Sequence, residues 1–249
     1  MDVQFVDTTF RDGSQSLWAM GMRTGMMEAV AEQMDQAGFK VIEVPVNSHP
    51  FKKIVRELKE DPWAMCRMLA EKMPNTTKGC MVGPSIIPMQ INCSRSMVKL
   101  YFERLAHIGV LNRGQIMANV SGYINNAFPW FIPMLKDLGI QVVLALAYTI
   151  SPRHTDQYYA EKTRELVTLK PDAIYLKDQG GLLTVDRIRT LLPVILENAQ
   201  GIPVEVHSHC TTGMADQVYM EALKLGVRTL HTAVPPLANG SSQPSIFTV

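Results

Sequence analysis

The chain has 249 residues, 47% of them hydrophobic and 19% charged, with a formal net charge of +1. That composition excludes a disordered chain, and the near-neutral balance excludes a general electrostatic grip on nucleic acid, which needs a concentrated basic face. No apolar run reaches membrane-spanning length: the nearest, Ile140 to Ala147, is strand-sized and contains Gln141.

Short apolar runs alternate with longer amphipathic stretches along the whole chain. Val3–Val6 reads as a first strand, followed by a helix over Gly21–Ala37 that ends at Gly38. Lys40–Pro45 is a second strand, and Lys52–Lys72 a helix with apolar positions at Ile54, Val55, Leu58 and Met65. Gly79–Val82, Gln115–Ala118 and Gln141–Ala147 follow as strands, separated by helices over Ser96–His107 and Ala127–Leu138. A helix over Thr155–Leu169 precedes the strand Ala173–Leu176, and a helix over Thr184–Asn198, with Thr184 as N-cap, precedes Val204–Val206. A helix over Ala215–Leu225 leads to the last strand, Thr229–Ala233. Several strands are β-branched and nearly continuous, as strands buried on both faces are.

Strand–helix alternation with short connections means a parallel sheet. Eight such units predict an α/β chain closed as a (β/α)₈ barrel, the TIM barrel, in one domain over residues 1–249. A doubly wound open sheet should show a glycine-rich phosphate turn, and no GxGxxG occurs. Only Pro235 to Val249 follow the last strand, so the closing helix is expected to be short or missing, the sequence a fragment, or that flank covered by a partner. The four cysteines (Cys66, Cys80, Cys93, Cys210) form neither a CxxC pair nor a disulfide framework. With strand-like residues at the start and no basic-then-apolar leader, a cytoplasmic location with reduced thiols is the expectation.

In such barrels the working residues lie at the C-terminal ends of the strands. After the first strand come Asp7, Arg11, Asp12 and Gln15 within nine residues. After the seventh come His207 and His209, which share one side of an extended backbone and can face the axis together. The sixth ends in Lys177-Asp178, and a lysine buried there has to be paired or chemically changed. Two imidazoles and a carboxylate form a partial ligand set for a divalent ion such as zinc, manganese or cobalt. Lys177 can join them only as a neutral amine or, after addition of CO₂, as a carbamate.

The stretch Asp7-Thr8-Thr9-Phe10-Arg11-Asp12-Gly13-Ser14-Gln15-Ser16 resembles the opening signature of the metal-dependent lyase and carboxyltransferase barrels. That superfamily includes hydroxymethylglutaryl-CoA lyase, isopropylmalate synthase, oxaloacetate decarboxylase α subunits and the carboxyltransferase domain of pyruvate carboxylase. Glu60-Asp61-Pro62-Trp63, Leu176-Lys177-Asp178-Gln179-Gly180-Gly181-Leu182-Leu183, Val206-His207-Ser208-His209, and Thr232 to Pro235 continuing to Ser241-Ser242-Gln243-Pro244 resemble the carboxyltransferase branch in the same order. The resemblance implies a metal held by Asp12, carbamylated Lys177, His207 and His209, with Arg11, Gln15 and Lys177 as catalytic residues. It also implies carboxyl transfer between carboxybiotin and a keto acid through an enolate. No Met-Lys-Met biotinylation site is present, so biotin is expected on a separate carrier chain, in a homo- or hetero-oligomer.

The organic pocket departs from that pattern. Val82 stands where the family's third strand carries an arginine that grips the keto-acid carboxylate. Asn47, His49, Asn119 and Tyr148 are candidates for replacement substrate contacts. Two other functions compete with the first: a biotin-independent C–C lyase or aldolase, and a non-catalytic scaffold subunit that keeps the metal for stability.

Overall fold

In a computed structural model, which describes residues 2–84, 93–118 and 121–249, the parallel sheet closes on itself. The strands are β1 (Gln4–Asp7), β2 (Val41–Glu43), β3 (Thr77–Val82), β4 (Arg113–Met117), β5 (Gln141–Ala147), β6 (Ala173–Asp178), β7 (Val204–Ser208) and β8 (Thr229–Thr232). They hydrogen-bond in sequence order, and β8 pairs in parallel with β1. The expected (β/α)₈ barrel therefore forms.

Two sets of buried residues follow from strand alternation. The outward faces join the helices in the main core, with Ile42, Leu144, Ile174 and Val206 from strands against Leu69, Phe102, Phe131 and Leu191 from helices. The inward faces of β5 and β6 form a separate small cluster of Val143, Ala145, Ala173 and Tyr175. Around it lie buried polar side chains, among them Glu43, Arg113, Gln115, Glu205 and His231.

The expected helices form, with three revisions. A short helix, α1 (Ser14–Trp18), precedes α2 (Thr24–Gln36), and another, over Ser121–Asn126, precedes Phe128–Asp137. The single helix expected over Lys52–Lys72 is broken. It becomes α3 (Ser48–Lys53) continuing into a π-helical turn at Ile54–Leu58, then α4 (Pro62–Lys72). Lys59 takes a left-handed conformation, Pro62 can only begin a helix, and Asp61 caps it by accepting from the Trp63 amide at 2.8 Å. Glu60, freed by the break, accepts from the amide and hydroxyl of Thr24 at 2.9 and 2.8 Å and so caps α2.

After β8 the described residues contain no helix. They fold back across the barrel mouth instead, with Ser241 Oγ donating to the Ser16 carbonyl and the Cys210 amide to the Ser242 carbonyl. Among the described residues no helix is long and apolar enough to cross a membrane.

Candidate metal centre

Asp12 reaches the barrel axis because the chain rolls into a π-helical turn (Thr9–Gly13) directly after β1. The Thr8 carbonyl accepts from the amides of Arg11 and Gly13, at 3.2 and 2.9 Å. The Thr8 hydroxyl lies 2.9 Å from the Thr232 carbonyl and 2.7 Å from Gln243 Oε1. A β-carbon at Gly13 would stand 2.7 Å from the Leu237 carbonyl, so the returning C-terminal segment can close on this turn only over glycine.

The other groups come from neighbouring strands held in register. Lys177 of β6 pairs with His207 of β7, so both side chains enter the barrel at one level. His209 follows β7 on the same side. Asp12 is the meeting point: its Oδ2 lies 3.6 Å from Lys177 Nζ and 3.5 Å from His207 Nε2, and its Oδ1 lies 3.8 Å from His209 Nε2. One ligand atom each from Asp12, His207 and His209 falls within 4.8 Å of the others, and all three residues are buried.

The electrostatics suit a cation. Burial pushes Asp12 up, but Arg11, Lys177 and His209 outweigh it and hold the carboxyl well below the usual carboxylate range. Burial drives Lys177 down, with Arg11 adding to it and Asp12 opposing it. Burial, then the charges of Lys177 and the other imidazoles, push His207 well below its ordinary value. His209 Nδ1 sits 2.6 Å from the Ser241 carbonyl, which can only accept, so that nitrogen carries the proton and Nε2 presents a lone pair. Three donors, two imidazole and one carboxylate, with a fourth group beside them fit a divalent ion.

Arg11 is fully buried, its Nε 2.6 Å from Glu43 Oε2 and its Nη2 ion-paired with Glu43 and, at 3.0 Å, with Asp12. Among the described residues no acceptor lies in line with the N–H bonds of Nη2. Gln15 lies on the exposed side of α1 and away from this cluster, because one helical step turns it from the buried Ser14. Asn47 is buried, donates to the Met81 carbonyl at 3.2 Å and leaves its Oδ1 without a partner among the described residues. Tyr148 is buried and stacked on Tyr159 with ring centroids 6.2 Å apart. His49 is exposed on α3, and Asn119 lies outside the described residues.

Lys177 and Asp178 do not act as a pair. Alternation sends Asp178 to the outer face, where it accepts from the amides of Leu182 and Leu183 and from Ser208 Oγ at 2.8 to 2.9 Å. Gly181, in the loop this carboxylate anchors, has φ +64°, and a β-carbon there would collide with the His209 carbonyl.

Of three further polar residues near the cluster, Gln243 entered the sequence reading only as part of a motif, and His231 and Glu205 went unread. Gln243 Nε2 stands 3.0 Å from His209 Nε2 and 3.4 Å from His207 Nε2. His231 of β8 touches the back of His207, and Glu205 of β7 touches His231. Burial raises Glu205, but its hydrogen bond with His231 and the Arg113 cation bring it down to about 2. His231 and Glu205 sit in the middle of apolar strands, and only the inward alternation of β7 and β8 could have singled them out.

Comparison with known proteins agrees with this geometry. The family described as HMGL-like matches residues 2–240. A pyruvate carboxylase subunit of Methanocaldococcus jannaschii is 34% identical over 248 residues, covering 97% of this chain and 42% of that protein. The 2-oxoglutarate carboxylase large subunit of Hydrogenobacter thermophilus is 31% identical over 250 residues, covering 99% and 37%. The carboxyl transferase domain of Rhizobium etli pyruvate carboxylase, solved with pyruvate and biocytin, superposes with a TM-score of 0.89 at 27% identity, covering 98% of this chain and 42% of that one. The chain thus spans less than half the length of these relatives.

Proposed function

The chain belongs to the HMGL-like family, on its carboxyltransferase branch, and from that premise we propose that it is a metal-dependent carboxyltransferase or decarboxylase subunit. Its substrate is a keto acid or related carbonyl compound, the reaction passes through an enolate, and the carboxyl group is carried by biotin. The observation that carries this reading is the convergence of Lys177, His207 and His209 on the Asp12 carboxylate, each within 3.8 Å.

Asp12, His207 and His209 would hold the ion, and the ion would supply Lewis acidity to the substrate carbonyl. Arg11 adds a fixed cation beside it, oriented by Glu43, which stabilises negative charge developing on the carbonyl oxygen. Lys177 would complete the ligand set as a carbamate, formed when its neutral amine adds to CO₂ with a nitrogen–carbon bond made and one proton released. Burial lowers the basicity of Lys177, in the direction of the neutral amine that this requires. Carbamate formation is read directly by ¹³C NMR of the protein equilibrated with ¹³C-bicarbonate, where an unmodified lysine under those conditions removes the fourth ligand.

Where the family resemblance expects an arginine on the third strand, Val82 packs into the core with the helices, and Asn47 Oδ1, without a partner among the described residues, offers an acceptor rather than a cation. That exchange favours a second reading, a biotin-independent lyase or aldolase at the same metal. Copurification of a biotinylated protein with the native chain supports the first, and its consistent absence the second.

Enolate chemistry itself is tested in D₂O. The metal-loaded chain is expected to exchange the C3 protons of pyruvate or 2-oxoglutarate, followed by loss of their ¹H NMR signals. A chain with full metal content that exchanges neither keto acid leaves the enolate reading without support.

A further inference from the structure

A line of buried groups leaves the cluster through the back of His207. Its Nε2 faces Asp12, while its Nδ1 stands 3.2 Å from His231 Nδ1. Across the His231 ring, Nε2 lies 3.1 Å from Glu205 Oε2. Glu205 is ion-paired with Arg113 and, at 3.4 Å, with Lys40. Tyr175 stacks on His231, with ring centroids 5.2 Å apart and planes 14° from parallel.

Hydrogen-bond directions follow from what each group can do. Glu205, beside Arg113 and Lys40, is a carboxylate and only accepts, so His231 carries its proton on Nε2. A His207 that holds an ion presents its Nε2 lone pair, so its Nδ1 carries the proton in the gap and His231 Nδ1 accepts it. Gln243 Nε2 also stands 3.4 Å from His207 Nε2 on the other side of the ring. His209 reaches the same tautomer through a backbone carbonyl. His207 reaches it through a side-chain pair, which substitution can remove.

We infer that Glu205 and His231 are positioning residues that lock His207 in the tautomer a metal ion requires. This rests on the metal centre described above and assigns the two residues no contact with substrate. Imidazole ligands are ordinarily oriented by such partners, and removing one costs about 10- to 100-fold in metal affinity.

The first test uses the metal-free, full chain labelled with ¹⁵N-histidine. His207 is expected to be protonated at Nδ1 and bare at Nε2, and a spectrum with the proton on Nε2 overturns the inference without any variant. In the second, Zn²⁺ and Mn²⁺ affinities are measured by chelator competition. H231F keeps the ring volume and the face toward Tyr175 and is expected to bind about 10- to 100-fold more weakly. H231N retains an acceptor near the Nδ1 position and is expected to recover most of that loss. A folded H231F that binds as tightly as the wild type overturns the inference, and should H231F fail to fold, the wild-type spectrum decides. A wild-type chain that binds neither ion overturns the metal centre itself, and the tautomer is still read in the metal-free protein.

Discussion

Two sides of the barrel mouth are built on different terms. On the side of β6, β7, β8 and the returning C-terminal segment, the groups that shape the cluster are tied to side-chain and backbone partners, although the Tyr175 and Thr232 hydroxyls have none among the described residues. Asp178 anchors the loop after β6, Tyr219 OH links the Ser208 amide to the His231 carbonyl, and Ser241 and Gln243 reach back to the imidazoles. On the side of β2 and β3, Val46 and Val82 pack into the main core with the helices, and the Asn47 Oδ1 has no partner among the described residues. A metal site tolerates little displacement, so its supports are redundant. An organic pocket has to match only its ligand, so it can change without disturbing the ion.

The largest expected effect breaks the comparison on the metal side. His207→Ala or His209→Ala should lose the bound ion, measured as metal content after gel filtration. Full occupancy in both variants would refute the assignment of the cluster. Arg113→Met tests whether the polar layer beneath it depends on the same redundancy. It leaves Glu205 without its strongest buried partner and should cost about 3–5 kcal/mol in urea unfolding, whereas a cost below about 1 kcal/mol would make that ion pair dispensable.

Asp7, at the end of β1, sharpens the contrast in charge. Burial raises it to about 7, against hydrogen bonds from Thr9 and with a further push from Glu43. The folded chain thus keeps a proton that the unfolded chain releases near the ordinary value of 3.8. The resulting stability is complete below about pH 4 and is lost as pH rises through 7. Asp7→Asn should therefore gain about 2 kcal/mol on the wild type between pH 5 and pH 8, followed by denaturant midpoints at the two pH values. An equal offset at both would show that Asp7 does not titrate in this range.

The smallest effect belongs to the pocket side. Asn47→Ala removes one bond to the Met81 carbonyl, costs about 1 kcal/mol and leaves metal content unchanged. If its free oxygen meets substrate, KM should rise about three- to tenfold with kcat held, and an unchanged KM assigns Asn47 to packing alone.

Periodicity and spacing were enough to reveal the barrel and the residues converging on Asp12, because alternation and strand order act locally and repeat eight times. The break near Pro62 was missed although Asp61-Pro62 carries a cap signature, since the apolar spacing on either side happens to continue one helical face. What the linear order could not supply is the proton arrangement. Whether His207 presents a lone pair depends on His231, which meets it only once β8 pairs with β7, and on Glu205 behind that ring. Hydrogen-bond direction is a property of the assembled network, so tertiary structure alone decides it.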